Sequence, residues 1–200
     1  MQNFNSLKSL DLAIKSCKRC LLYKDCGSYG PTLPEGYNDV EIMVLGRNPG
    51  YDELVGGRPF IGRAGQKMDT FLFAVGLSRR DCWITNTCKC YSSNNRPPMY
   101  EEIVSCSDYF KAELEIIKPK FIISFGAEAM SMVTPYTGRI MRHCGELLNK
   151  PKSSRLGIKI DARVAICVHP SAVLRSNRCD AEWNHAIRNV KDFLVETEKK

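Results

Sequence analysis

Ten of the chain's 200 residues are cysteine, and four of them are ordered as metal ligands often are. Cys17 and Cys20 make a C-x2-C. Cys90 and Cys106 stand sixteen apart, Cys90 in a polar loop and Cys106 on a stretch with helical periodicity. Four thiolates at such spacing suit a tetrahedral zinc ion and a 4Fe-4S cluster equally. Disulfides are the poorer reading: the first twenty residues contain no apolar secretion block with a cleavage site, and thiols in a reducing compartment stay free. Cys26 and Cys88 are nearby spares, and Cys88 is able to replace Cys90 as a ligand. Cys82 and Cys167 fall within apolar runs, where cysteine serves as a small core residue.

Other candidate chemistry lies in three short loops, GRNPG (46–50), TNTCKC (85–90) and HPSAVLR (169–175). Asn48 and Asn86 each bring an amide donor and acceptor, and His169 brings a ring that can donate or accept. GRNPG after an apolar run invites comparison with a dinucleotide-binding turn. It lacks the G-x-G-x-x-G spacing, and no acidic residue is placed for a ribose.

Each loop follows a run with strand character. Runs 41–45 (EIMVL), 82–85 (CWIT), 121–125 (FIISF) and 164–168 (VAICV) are short, β-branched or aromatic-rich, and closed by turn or polar signals. Between them the sequence turns helical. Residues 65–75 put Met68, Leu72 and Val75 on one face, and residues 101–117 do the same for Ile103, Cys106, Phe110, Leu114 and Ile117. Residues 151–159 read as an exposed loop, and 181–194 as an amphipathic helix ending in a charged tail. Alternating strands and helices predict an α/β fold: a three-layer αβα sandwich around a central, mostly parallel four-stranded sheet. In such sheets function gathers where loops leave the carboxyl ends of the strands.

A chain with 44% apolar residues can bury one substantial core, so residues 1–200 are expected to form one domain, and a monomer. No run approaches the roughly 18 to 20 apolar residues of a membrane span, and the expected location is cytoplasmic. The 29 Lys and Arg against 22 Asp and Glu leave +7, which favours a polyanionic partner.

Taken together with GRPFIGRAG (57–65), the loops GRNPG, TNTCKCYSSNNRPP (85–98) and HPSAVLR resemble, in order and spacing, the iron-sulfur or family 4 branch of the uracil-DNA glycosylase superfamily. The resemblance covers about residues 11 to 190. It implies a DNA partner, single- or double-stranded, and a 4Fe-4S cluster on Cys17, Cys20, Cys90 and Cys106, with KC before NRPP selecting Cys90. It also implies an enzyme that flips a uracil or modified pyrimidine out of the stack and cuts it from its sugar by water attack, leaving an abasic site. The alternative is a cluster-bearing DNA-binding protein of the same fold without catalysis.

The chemistry assigns roles within that resemblance. Phe60 offers a face for the extruded base, and Asn86 reads adjacent carbonyl and N–H groups on its edge. His169 donates to the base oxygen as negative charge develops there, while Asn48 orients the water. Ser171, Leu174, Arg175 and Arg178 belong to a DNA-facing loop, with Leu174 filling the vacated stack and the arginines holding phosphates. The departure is GRNPG itself, where family 4 members carry GEAPG or GEGPG. It is closer to the GINPG and GMNPG loops of the mismatch-specific and single-strand-selective branches. Arg47 then faces either the pocket or a phosphate. Gly50, where the most uracil-selective branch has a tyrosine, predicts an open pocket wall and tolerance of substituted pyrimidines, unless Glu53 refills the space.

Overall fold

The computed structural model describes residues 4 and 6–198. The four apolar runs form parallel strands: β1 (Ile42–Gly46), β2 (Cys82–Asn86), β3 (Phe121–Phe125) and the strand at Arg163–Cys167. The sheet is wider than expected by one strand. Leu147–Leu148 forms β4, antiparallel to the Arg163–Cys167 strand, which is therefore β5, and the order is β2-β1-β3-β5-β4. Two residues are too few for alternation to announce a strand, so pairing with the neighbour creates β4 where local sequence does not.

Side chains alternate across the sheet and feed two cores, as period-2 geometry requires. Val44, Ile84, Ile123, Phe125 and Cys167 face one side, packed against Met68, Phe71 and Leu72 of α4 (Arg63–Ala74) and Trp183, Ala186 and Val190 of the C-terminal helix. Met43, Leu45, Trp83, Ile122, Val164 and Ile166 face the other, against α5 (Tyr100–Ile117) and α6 (Ala127–Val133). Fully burying a side chain such as Phe71 is worth about 1.5–3 kcal/mol. The three-layer αβα sandwich is thus present, and Cys82 and Cys167 are fully buried in it.

The helices begin and end close to where the pattern places them. The C-terminal one spans Asp180–Glu198, while the last two residues of its charged tail lie outside the described residues. Short helices add to the plan: α1 (Leu7–Lys15), α2 (Leu22–Asp25), α3 (Tyr51–Gly56), α7 (Ile140–His143) and α8 (Pro170–Arg175). The C-terminal helix is α9. Ser6 caps α1, exchanging hydrogen bonds with Ser9, and Leu10 and Ile14 seat it on Tyr109 and Ala112 of α5. The 151–159 loop is less exposed than expected, for Ser154 and Ile158 are buried beneath it. No helix among the described residues is long and apolar enough to cross a membrane.

The chain leaves β1 toward β2 and returns to β3 on the opposite side of β1. Such a reversal opens a crevice at the carboxyl ends of the strands.

Candidate active site

At that crevice the loops after β1, β2 and β5 meet. Arg47, Asn48, Gly50, Glu53, Phe60, Asn86, His169 and Ser171, expected from sequence to act together, line one cleft of about 70 Å³. A much larger cleft of about 1020 Å³ lies at the other end of the sheet, by Ile42 and Phe121, and includes none of these loops.

The first two loops are stitched together by backbone. Thr87 and Cys88 donate their N–H groups to the carbonyls of Gly46 and Arg47, each at 2.9 Å. Asn48 is then fixed by side chains. Its Oδ1 accepts from Arg47 Nε at 2.8 Å, and its Nδ2 donates to Ser92 Oγ at 3.1 Å and to the Pro49 carbonyl at 3.0 Å. The Ser92 hydroxyl proton goes to the Arg96 carbonyl at 2.6 Å, so Ser92 is left to accept from Asn48. Arg47 reaches on to Asn95, donating from Nη2 to its carbonyl and its Oδ1, both at 3.0 Å. Burial lowers the Arg47 pKa against the attraction of nearby Glu128, and Arg175 adds a smaller repulsion. Arg47 therefore lines the pocket and also holds the 92–96 turn.

Gly50 does not leave the wall open. Glu53 Oε2 accepts from the Gly50 N–H at 2.9 Å and lies 2.6 Å from where a Gly50 Cβ would stand. Oε1 of the same carboxylate accepts from Ile61 and Gly62 N–H at 2.9 and 2.8 Å. Three backbone donors fix a carboxylate in the space that the missing side chain vacates. Of the two expectations for this wall, the geometry matches the one in which Glu53 refills the space.

The floor is built around Gly46. A Cβ there would collide with both the Phe60 ring and Asn86 Oδ1, so glycine lets these two groups meet. The Phe60 ring lies 6.1 Å from that of His169 at an interplanar angle of 25°, and edge-on to Phe125. Asn86 ends β2, 5% exposed.

His169 caps α8. Its Nδ1 accepts from the Ser171 backbone N–H at 3.2 Å. An accepting Nδ1 carries no proton, so the neutral ring bears its hydrogen on Nε2. Burial, reinforced by the positive charges of Arg47 and Arg175, pushes the pKa down to about 4. The ring is a neutral donor at pH 7. Beyond it Leu174, Arg175 and Arg178 are exposed, open to a partner on this face.

The cysteines gather on the far flank of the 86–96 segment. Cys17, Cys20, Cys88, Cys90 and Cys106 line one small cavity with Lys89 and Leu22. Cys26 is hydrogen-bonded to Cys90, and Cys88 to Cys106. Of the two spares, Cys88 lines the cavity beside the four expected ligands, while Cys26 meets it only through Cys90. Among the described residues no three His, Cys, Asp or Glu converge to hold one ion. A 4Fe-4S cluster makes a different demand, since each cysteine binds its own iron. The Lys89 N–H donates to Cys106 Sγ at 3.3 Å, the type of N–H···S bond that tunes such clusters.

Sequence reading missed Ser92 and Asn95, whose partners sit across loops, and Lys89. The Lys89 ammonium is buried, 2.7 Å from Glu113, and donates to Thr85 Oγ1 and to the Asn86 carbonyl at 2.7 and 2.8 Å. Its signal was a lysine between two cysteines in an otherwise buried strand end.

Comparison with known proteins agrees with this arrangement. The model of the uracil DNA glycosylase superfamily matches residues 33–191. A type-4 uracil-DNA glycosylase of Pyrobaculum aerophilum is 35% identical over 178 residues, covering 88% of this chain and 89% of that protein. One from Archaeoglobus fulgidus is 33% identical over 189 residues, with 94% and 93% covered. One from Saccharolobus solfataricus is 33% identical over 193 residues, with 94% and 88% covered. The strand-end loops, the cleft that they form and these matches place the chain in the uracil-DNA glycosylase superfamily.

Proposed function

We propose that the chain is a monofunctional DNA glycosylase that excises uracil from DNA by hydrolysis. The observation that carries this reading is the convergence of Asn48, Phe60, Asn86 and a neutral, Nε2-protonated His169 on one cleft. The extruded base stacks on Phe60, and the Asn86 amide pairs with one carbonyl and the adjacent N–H of uracil. His169 Nε2–H donates to the other carbonyl. As the C1′–N1 bond breaks, its electron pair passes to the base, whose anion this hydrogen bond stabilises. Water held by Asn48 Oδ1 adds to the cationic sugar carbon and releases its second proton to solvent. Asn48 is a poor base, and Arg47 already occupies one side of its oxygen, so it orients water while electrostatics supply most of the rate.

The closed wall at Glu53 favours uracil over thymine, because a methyl group at C5 has to compete with a carboxylate fixed by three donors. Cys17, Cys20, Cys90 and Cys106 would hold a 4Fe-4S cluster, which ties α1 and the 86–96 segment together and takes no part in bond cleavage. The donor set supports this, with thiols around one cavity and an amide aimed at a ligand sulfur. Leu174, Arg175 and Arg178 face DNA.

Incubation with uracil-containing oligonucleotides, followed by alkali, tests the reading directly. Strand breaks at uracil are expected. Binding without breaks would instead favour a cluster-bearing DNA-binding protein that lacks catalysis.

A further inference from the structure

Phe60 is held in a backbone conformation that its residue type disfavours. Its φ is +54°, in the left-handed region that non-glycine residues adopt only where surrounding structure imposes it. Two features impose it here. Gly65, in the first turn of α4, comes so close to the Phe60 carbonyl that any side chain at 65 would collide with it. The second feature is Arg79, nineteen residues further on in the turn before β2.

All five guanidinium N–H groups of Arg79 have acceptors, and two of these are consecutive carbonyls of the strained turn. Nη2 donates to the Pro59 carbonyl at 2.8 Å and Nη1 to the Phe60 carbonyl at 3.0 Å. The other three go to acids: Nε and Nη2 to Glu35 at 3.2 and 3.1 Å, and Nη1 to Asp69 at 3.1 Å. Both acids stand on framework. Glu35 exchanges backbone hydrogen bonds with Ile84 of β2 at 2.9 and 2.7 Å, and Asp69 belongs to α4. The fork thus transmits the position of the sheet and of α4 to the two peptide groups that aim the Phe60 ring over Gly46 and Asn86. A lysine has three donors on a single nitrogen and cannot span this set.

We propose that Arg79 is a positioning residue for base stacking. It touches neither base nor sugar, and it acts by holding Phe60 in its left-handed turn. The inference rests on the reading of Phe60 as the stacking platform, and the test separates the two.

Single-turnover excision from a uracil-containing oligonucleotide would be measured for Phe60→Ala, Arg79→Lys and the double variant, with a thermal melt of each. Phe60→Ala should slow the chemical step by on the order of 10- to 100-fold, and Arg79→Lys by a similar factor, as misplacement of a substrate-positioning group does. In the Phe60→Ala background Arg79→Lys should have almost no further effect, because its target is gone. A free guanidinium salt at millimolar concentration should restore part of the rate of Arg79→Ala, and none of the rate of Phe60→Ala. This second measurement stands if Arg79→Lys lowers the melting temperature. Equal slowing by Arg79→Lys in both backgrounds, or a wild-type rate for it where Phe60→Ala is slow, overturns the positioning role. A wild-type rate for Phe60→Ala overturns the platform and the inference with it.

Discussion

His169 shows how one residue's surroundings select its protonation state and its task. A histidine used as an acid would need to be charged, yet burial beside Arg47 and Arg175 holds its pKa down to about 4, and the accepting Nδ1 leaves the single proton on Nε2. In the proposed mechanism such a ring would stabilise charge on the departing base without transferring a proton to it. His169→Ala and Asn48→Ala should each lower single-turnover excision by on the order of 10² to 10³, with fold retained. The pH profile follows from the same surroundings. Excision should stay level as pH falls through 6.5, the usual histidine value, and decline only near the pKa of about 4. A break near 6.5 that disappears in His169→Gln would contradict the neutral ring. Stability carries the same sign. The unfolded state binds a proton at His169 that the folded state refuses, so this contribution is complete above about 6.5 and lost as pH falls toward about 4. Asn86→Asp should weaken uracil recognition, because a carboxylate lacks the amide donor that pairs with the base carbonyl.

The segment from Asn86 to Arg96 is the element on which both halves of the site depend. It supplies Asn86, the proposed reader of the base, the expected cluster ligand Cys90, Ser92 beneath Asn48, and Asn95 beneath Arg47. Lys89 anchors it through an ion pair with Glu113 from which water is excluded. Removing one partner of such a pair leaves the other charge buried alone, a loss of about 3–5 kcal/mol. Lys89→Met should lower the denaturant midpoint accordingly, and the pairing with Glu113 is refuted if Glu113→Gln in that background fails to recover part of the loss. The strands that hold this segment were legible in the sequence, because runs such as 121–125 are buried on both faces and carry apolar side chains throughout. So were Asn48, Asn86 and His169, each at the end of such a run. The contacts of Ser92, Asn95 and Arg79 were not. They join loops far apart in sequence, and a bond between two turns leaves no period in either. Consecutive asparagines offered a partial clue, since Asn94 and Asn95 both adopt positive φ, which this residue type tolerates better than most. Gly50 is readable only together with Glu53, because an absent side chain leaves space only when nothing else reaches it, and Glu53 does.

Across the whole molecule, the cleft lies between two flanks of different character. On one side cysteines of the N-terminal segment and of the loop after β2 line one cavity; on the other α8 exposes Leu174, Arg175 and, just beyond its end, Arg178. A cluster on the first flank predicts a brown protein with a broad absorbance shoulder near roughly 400 nm, bleached by Ser substitution of its ligands, whereas zinc would leave it colourless. Full colour in Cys90→Ser would move that ligand to Cys88, whose thiol borders the same cavity. Such a cluster would also alter the charge that DNA meets. A core of about +2 with four thiolates takes about two units from the formal charge of +7. The net charge that remains is modest, so affinity has to come from a few placed cations, each releasing counterions from the phosphates that it contacts. Arg175→Ala and Arg178→Ala should each weaken binding to uracil-containing and undamaged DNA alike. Each should also reduce the slope of log affinity against log salt by about 1. Arg47 is half-buried in the cleft and committed to Asn48 and Asn95, so Arg47→Ala should leave that slope unchanged while altering the relative rates on uracil, thymine and 5-hydroxymethyluracil. A flattened slope with unaltered base ranking would move Arg47 from the pocket to the phosphate backbone.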